Sequence, residues 1–221
     1  AWTAGRTKVF GYADTDVAIL NPAATTDLAY QLKALAYDRT WGIYHATPSD
    51  YINFAWMGLE LAKDPGKSTW AHKSLQGVTP DNLTEGQNSA TLAKNGNTYT
   101  PISGTGRTLN GKSASGENIF VVRNIDYATS EIQSDGADFK FALDIVPAND
   151  KGIAAEENVL KGTLARMEDE GVFIPGTSTT TSTKYADWSS SDKSAGTNRM
   201  TFASNIQGAI LKTIIEGTVT Y

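Results

Sequence analysis

The sequence predicts an α/β to α+β chain: an α/β segment over residues 1–69, joined to a core over 70–221 in which helices flank a mixed or antiparallel sheet. Three observations predict it. Short aromatic runs at 8–13 (KVFGYA) and 41–45 (WGIYH) bracket a stretch with helical spacing, the layout of a strand-helix-strand unit. Short extended runs punctuated by glycine fill 97–123, and two long stretches, 125–146 and 153–170, repeat apolar residues at helical intervals.

A chain of 221 residues that is 40% hydrophobic can fill a substantial core. It has no cysteine, which removes disulfides, thiolate nucleophiles and thiolate metal sites together. The net charge of -5 and the lack of clustered Lys and Arg exclude a general nucleic-acid binder. No apolar run approaches the ~20 residues of a membrane-spanning helix, so direct membrane insertion is not expected. Ala1-Trp2-Thr3 has neither an initiator Met nor the layout of a secretory signal, which predicts a processed chain or a fragment.

In chain order, Thr26 or Asp27 caps a first helix with Leu28, Leu32 and Leu35 on one face. A second helix starts at Ser49-Asp50 and stops at Asp64-Pro65; Tyr51, Ile52, Phe54, Trp56, Leu59 and Leu61 make it apolar nearly all round, so it must be buried in the protein or against a partner. Thr84 and Gln87 have capping-box spacing, and Asn95-Gly96 supplies a left-handed helix end, which brackets a short helix over 85–94. Asn110-Gly111 is the strongest hairpin signal, and 97–123, including a strand at 119–123, reads as an antiparallel meander.

The stretch 125–146 predicts a long helix that Asp135-Gly136 can interrupt. The next, 153–170, carries Ile153, Leu160, Leu164 and Met167 on one side and Glu156, Glu157, Lys161 and Arg166 on the other. Residues 177–196, rich in Thr and Ser, predict a loop that Tyr185 and Trp188 pin down. The alternation over 209–221 predicts a long final strand.

Chemistry is sparse. His45 and His72 are the only histidines, and no local spacing offers either an orienting carboxylate, so both read as structural or surface residues. Asp14-Thr15-Asp16 resembles a divalent-cation pair, but a strand-end turn uses aspartate for its own backbone hydrogen bonds. Ser190 and Lys193 have S-x-x-K spacing without a companion K-T-G, and Gly104-Thr105-Gly106 lacks the third glycine of a dinucleotide loop. Asn82-Leu83-Thr84 fits a glycosylation pattern, but Thr84 is better used as a helix cap. No catalytic, metal or cofactor site emerges, and an enzyme is not expected.

Tyr37-x-Arg39-Thr40, Asp64-Pro65-Gly66, Thr69-Trp70-Ala71-x-Lys73, Leu75-x-Gly77-Val78, Lys94-x-Gly96-Asn97-x-Tyr99 and the closing Glu216-Gly217-Thr218-Val219-Thr220-Tyr221 stand in an order and spacing that resembles the contractile-tail sheath proteins of myovirus-type bacteriophages. The resemblance implies that 1–69 is the C-terminal part of an α/β sheath domain and 70–221 the inner domain for assembly and tube contact. It implies a structural, self-assembling subunit of the virion tail sheath, made in the host cytoplasm. Other sheath subunits, the tail tube, and baseplate and tail terminator proteins would be its partners.

Assembly would run through the terminal strand, Ile214, Ile215, Glu216, Gly217, Thr218, Val219, Thr220 and Tyr221, added to a neighbour's sheet. Glu157, Lys161 and Arg166 are the tube-contact candidates. A carbohydrate- or host-surface-binding module, suggested by the aromatics and the Thr/Ser-rich stretch, is the alternative.

Overall fold

The computed structural model describes residues 8–209 and Leu211. It has mixed helix and strand, with one mixed sheet and one small antiparallel sheet, an α+β arrangement. Two compact units form, a sheet unit built mainly from residues 9–60 and 69–119 and a helical unit built mainly from 61–68 and 120–207. The sheet unit takes strands from both sides of residue 69.

In the sheet unit, β1 (Phe10–Asp14), α1 (Leu28–Ala34) and β2 (Thr40–Tyr44) form the expected strand-helix-strand unit, with β1 and β2 parallel. The next helices are α2 (Ile52–Leu61) and α3 (Glu85–Ala93). β3 (Asn97–Ile102) lies parallel to β2, and β4 (Thr105–Leu109) returns antiparallel, giving the order β1-β2-β3-β4. The α3 capping box is present as expected, with Thr84 Oγ1 accepting from the Gln87 amide and Gln87 Oε1 accepting from the Thr84 amide.

Trp41, Trp56 and Trp70 are buried in this unit and meet edge-to-face at ring separations of 4.8 to 5.4 Å. Gly11 lies against them; a Cβ there would stand 2.1 Å from the Trp41 ring. A buried ion pair ties the other side together. Lys94 Nζ reaches Asp27 Oδ2 at 2.7 Å and the carbonyls of Ala18 and Asn21 at 3.1 and 2.9 Å, while Asp27 Oδ1 caps α1 through the Tyr30 amide.

Three sequence expectations are corrected first. The strand expected at 119–123 is the first turn of α4 (Ile119–Phe141). Ile119, Phe120 and Val122 are all buried, and a short, continuously buried apolar run has no period with which to separate strand from helix. Asn110-Gly111 has the left-handed backbone of a hairpin turn, with φ of 80° and 71°, but closes no hairpin. Ser103-Gly104 turns β3 into β4 instead, and Gly111 is held by Asn97 and by close approach to the Ala71 amide, 2.8 Å from where a Cβ would stand.

On α1, Leu28 and Leu35 are exposed and the buried residues are Asp27 and Ala29, because the ion pair draws the capped end inward. On α2, Ile52, Trp56 and Glu60 are buried but Tyr51 and Phe54 remain 64% exposed, so the helix is not enclosed by its own unit.

In the helical unit, α4 and α5 (Asp150–Asp169) pack through Ala128, Leu160, Leu164 and Met167, joined by Val172 and Phe173. α4 runs unbroken past Gly136, which costs roughly 1 kcal/mol in a helix interior. Arg166 on α5 bridges that turn, bonding Glu131 Oε2 at 2.8 Å and Asp135 Oδ2 at 2.6 Å, and the Thr163 hydroxyl donates to Asp135 Oδ2 at 2.6 Å.

The stretch expected to be a loop over 177–196 holds β5 (Thr179–Ser182) and α6 (Ser190–Ala195); β5 pairs antiparallel with β6 (Met200–Ala203). Its hydroxyls supply the order that apolar content does not: Thr180 and Ser182 donate to Glu157 on α5. Trp188 is buried against Tyr185 at 5.2 Å between rings, as expected of an anchor.

Candidate functional site

Within the sheet unit the two outer strands differ in what covers them. The outer edge of β4 is occupied by the 72–73 backbone: the His72 amide donates to Thr108 O at 2.7 Å and the Thr108 amide donates to Lys73 O at 2.9 Å. β1 is the other outer strand among the described residues, with the Asn53 amide group donating to its Gly11 carbonyl at 3.2 Å. Beside β1 runs an apolar groove of about 440 Å³, lined by Phe10, Tyr12, Pro48, Tyr51, Phe54 and Met57. Phe10 is 63% exposed, so the groove carries three uncovered aromatic side chains next to a strand edge. An edge of this kind can take a further strand by backbone pairing.

Burial raises the Tyr12 hydroxyl, with Asp14 and Asp27 adding to the effect, and burial also raises Asp14. Asp14 and Asp16 are spent on the turn that follows β1. Asp14 Oδ1 accepts from the Asp16 amide at 2.9 Å, and Asp16 Oδ1 accepts from the Ala18 amide at 2.9 Å and caps the 3-10 turn at Val17–Leu20. This is the local use expected of the pair, and among the described residues no group of acidic and histidine side chains is arranged to hold a metal ion.

Sequence reasoning missed the surroundings of His45. At the end of β2 and 2% exposed, its Nδ1 lies 2.8 Å from Asp81 Oδ2 and its Nε2 lies 3.1 Å from Asp50 Oδ2. Asp50 belongs to the 3-10 turn Pro48–Asp50, and Asp81 is 36 positions from His45, so no local spacing could reveal the second carboxylate. Asp81 Oδ1 also accepts from the Ala46 amide, and Asp50 Oδ2 from the Thr79 amide. The hydrogen bond from His45, then that from Thr79, holds the Asp50 carboxyl below its usual value. His72 instead places Nε2 3.1 Å from the Leu211 carbonyl.

The three α5 candidates are not equivalent. Glu157 accepts from Ser182, Thr180 and Lys161, which hold it down to about 2. Arg166 is committed to Glu131 and Asp135, which raise its already high value. Lys161 pairs with Glu157 one turn away at 2.9 Å and is 56% exposed, so its ammonium is the one presented outward. Ile214, Ile215, Glu216, Gly217, Thr218, Val219, Thr220 and Tyr221 lie outside the described residues.

The parallel β1-β2-β3 sheet with antiparallel β4, followed by the α4-α5 pair and a small β5-β6 sheet, aligns along nearly its whole length with solved structures. The chain has the fold of a contractile sheath protein. It matches a chain of the anti-feeding prophage (AFP) baseplate, 6-fold symmetrised, at TM-score 0.66 and 14% identity over 97% of its length. It matches the AFP helical sheath in the contracted state at 0.64 and 14% over 95%, and the contracted PVC sheath complex of an extracellular contractile injection system at 0.54 and 16% over 86%. It spans 60%, 61% and 59% of those three chains respectively. No family model matches the sequence, and no curated protein sequence does.

Proposed function

We propose that the chain is part of a structural subunit of a contractile sheath, which polymerises with copies of itself around a tube, contacts a baseplate, and shortens to drive the tube outward. The likeness over 95% of the chain to the contracted AFP helical sheath carries this reading. The edge of β1, which pairs with no further strand among the described residues, and the exposed aromatics beside it support it, because a subunit that polymerises leaves such surfaces for its neighbours. Residues 214–221 are the strand donor in this scheme, their alternating pattern suited to pairing with a neighbour's sheet. Lys161 is the tube contact on α5, since Glu157 and Arg166 are held within the fold. The subunit is structural rather than catalytic.

The bacteriophage tail is the setting suggested by the sequence resemblance, and the AFP and PVC structures add extracellular injection machines as a second setting for the same sheath. Within the Thr/Ser-rich stretch that suggested a carbohydrate-binding module, Thr180 and Ser182 bond Glu157 on α5. Deleting 214–221 from the full-length protein tests the reading. The truncated protein should keep its circular dichroism and thermal transition but form no long tubes in electron micrographs; tubes of unchanged length would remove strand donation from the account.

A further inference from the structure

The two carboxylates facing His45 set a requirement that its protonation state decides. Each ring nitrogen lies within hydrogen-bond reach of a carboxylate oxygen, 2.8 Å for Nδ1 and 3.1 Å for Nε2. A carboxylate only accepts, so both bonds form only when both nitrogens carry a proton. With one proton the ring makes one bond and turns a lone pair toward the other carboxylate, and the ring itself, 2% exposed, has little access to water.

The groups bridged belong to separate pieces of chain. Asp50 ends the turn after β2 and is followed by Tyr51, held in the left-handed region at φ 46° and 64% exposed beside the groove. Asp81 sits on the segment before α3, where its own amide donates to Tyr99 O at 2.9 Å, fixing it to β3. The other titratable groups near the cluster are Tyr44, raised by burial and then by Asp81 and Asp14, and Asp14, whose backbone carbonyl accepts from the His45 amide.

We propose that Asp50, His45 and Asp81 form a pH-sensitive clamp, closed when both ring nitrogens are protonated, whose opening frees the 46–51 turn that carries Tyr51 to the groove. Raising the pH through the loss of the second imidazole proton opens it by breaking one bond. Strong acid weakens the Nε2 bond from the other side, since Asp50 is ionised only while the pH stays above its lowered value and a protonated carboxyl is the weaker acceptor. Between these limits the turn is held, and the αL backbone at Tyr51, which a non-glycine residue adopts only under constraint, is maintained.

Asp50→Asn separates this clamp from a merely structural histidine. The asparagine amide can donate to an unprotonated Nε2 while Nδ1–H donates to Asp81, so the variant suits the neutral ring and should lose the response to pH. Amide exchange measured on the full chain by NMR, as protection factors corrected for intrinsic pH dependence, reads the turn, and ¹⁵N shifts read both ring nitrogens. In the unsubstituted protein, protection over 46–51 should fall roughly tenfold or more as the ring loses its second proton, on the scale of one charge-assisted hydrogen bond. Protection in α3 should not change. Asp50→Asn should hold the turn equally across the same range. A flat response in the unsubstituted protein, an equal fall in Asp50→Asn, or a ring singly protonated while the turn is protected would overturn the clamp.

Discussion

Replacing Lys94 by methionine keeps much of the side-chain length but removes the ammonium from a site where the residue is 5% exposed. Three acceptors lose their donor at once: Asp27 Oδ2 and the carbonyls of Ala18 and Asn21. The Asp27 carboxylate, itself 1% exposed, is then left charged in the interior with the Tyr30 amide as its remaining partner among these contacts. Breaking a buried pair by removing one member costs about 3–5 kcal/mol, a large part of the 5–15 kcal/mol of total stability usual for a domain.

Changing Asp27 to asparagine as well removes the stranded charge while keeping an N-cap, since asparagine caps about as well as aspartate. The double variant should therefore lose less than Lys94→Met alone, by roughly 1–3 kcal/mol, a coupling of the size expected within one network. Urea unfolding followed by tryptophan fluorescence is suited to this, because Trp41, Trp56 and Trp70 are buried in the same unit. A loss under about 1 kcal/mol for Lys94→Met, or a double variant whose loss equals the sum of the singles, would refute the claim that this ion pair organises α1 and α3.

Gly11→Ala forces a methyl into the space held by the Trp41 ring, and should cost about 1–3 kcal/mol in chemical denaturation with a shift in tryptophan emission. Glu157 is depressed from 4.5 to about 2 by its bonds from Ser182, Lys161 and Thr180, so its contribution is present above the unfolded value and is lost as the pH falls from about 4.5 to about 2. Near-ultraviolet circular dichroism over that window should show β5 loosening, and Glu157→Gln should flatten the dependence. Lys161→Glu should leave the thermal transition within about 2 °C and weaken sedimentation of sheath with tube, a surface substitution having little effect on stability; Arg166→Glu is a poor probe of the same contact because it breaks the bridge to Glu131 and Asp135.

Where a signal is local in sequence, it was legible. The α3 box needs only Thr84 and Gln87, the stop of that helix only Asn95 with its positive φ, and the buried face of α5 only the spacing of Ile153, Leu160, Leu164 and Met167. Asn97 shows what is not local: fully buried, it donates to Gly42 and Lys112 carbonyls and accepts from the Gly111 and Lys112 amides, and nothing about an asparagine opening a strand announces those four bonds. His45 is the same case, its two carboxylates arriving from a turn and a distant loop. The 119–122 run and the outward face of α1 were misread for a different reason. Apolar residues mark burial against something, and neither periodicity nor composition says whether that something is the chain's own core, as for Ile119, or is not found among the described residues, as for Leu28 and Leu35.

Electron microscopy of the purified full-length protein, with and without residues 214–221, tests the sheath assignment most directly. The account predicts hollow, regularly striated tubes from the intact protein and dispersed, folded subunits from the truncated one. Intact protein that stays monomeric at every concentration and ionic strength at which it is folded would contradict it.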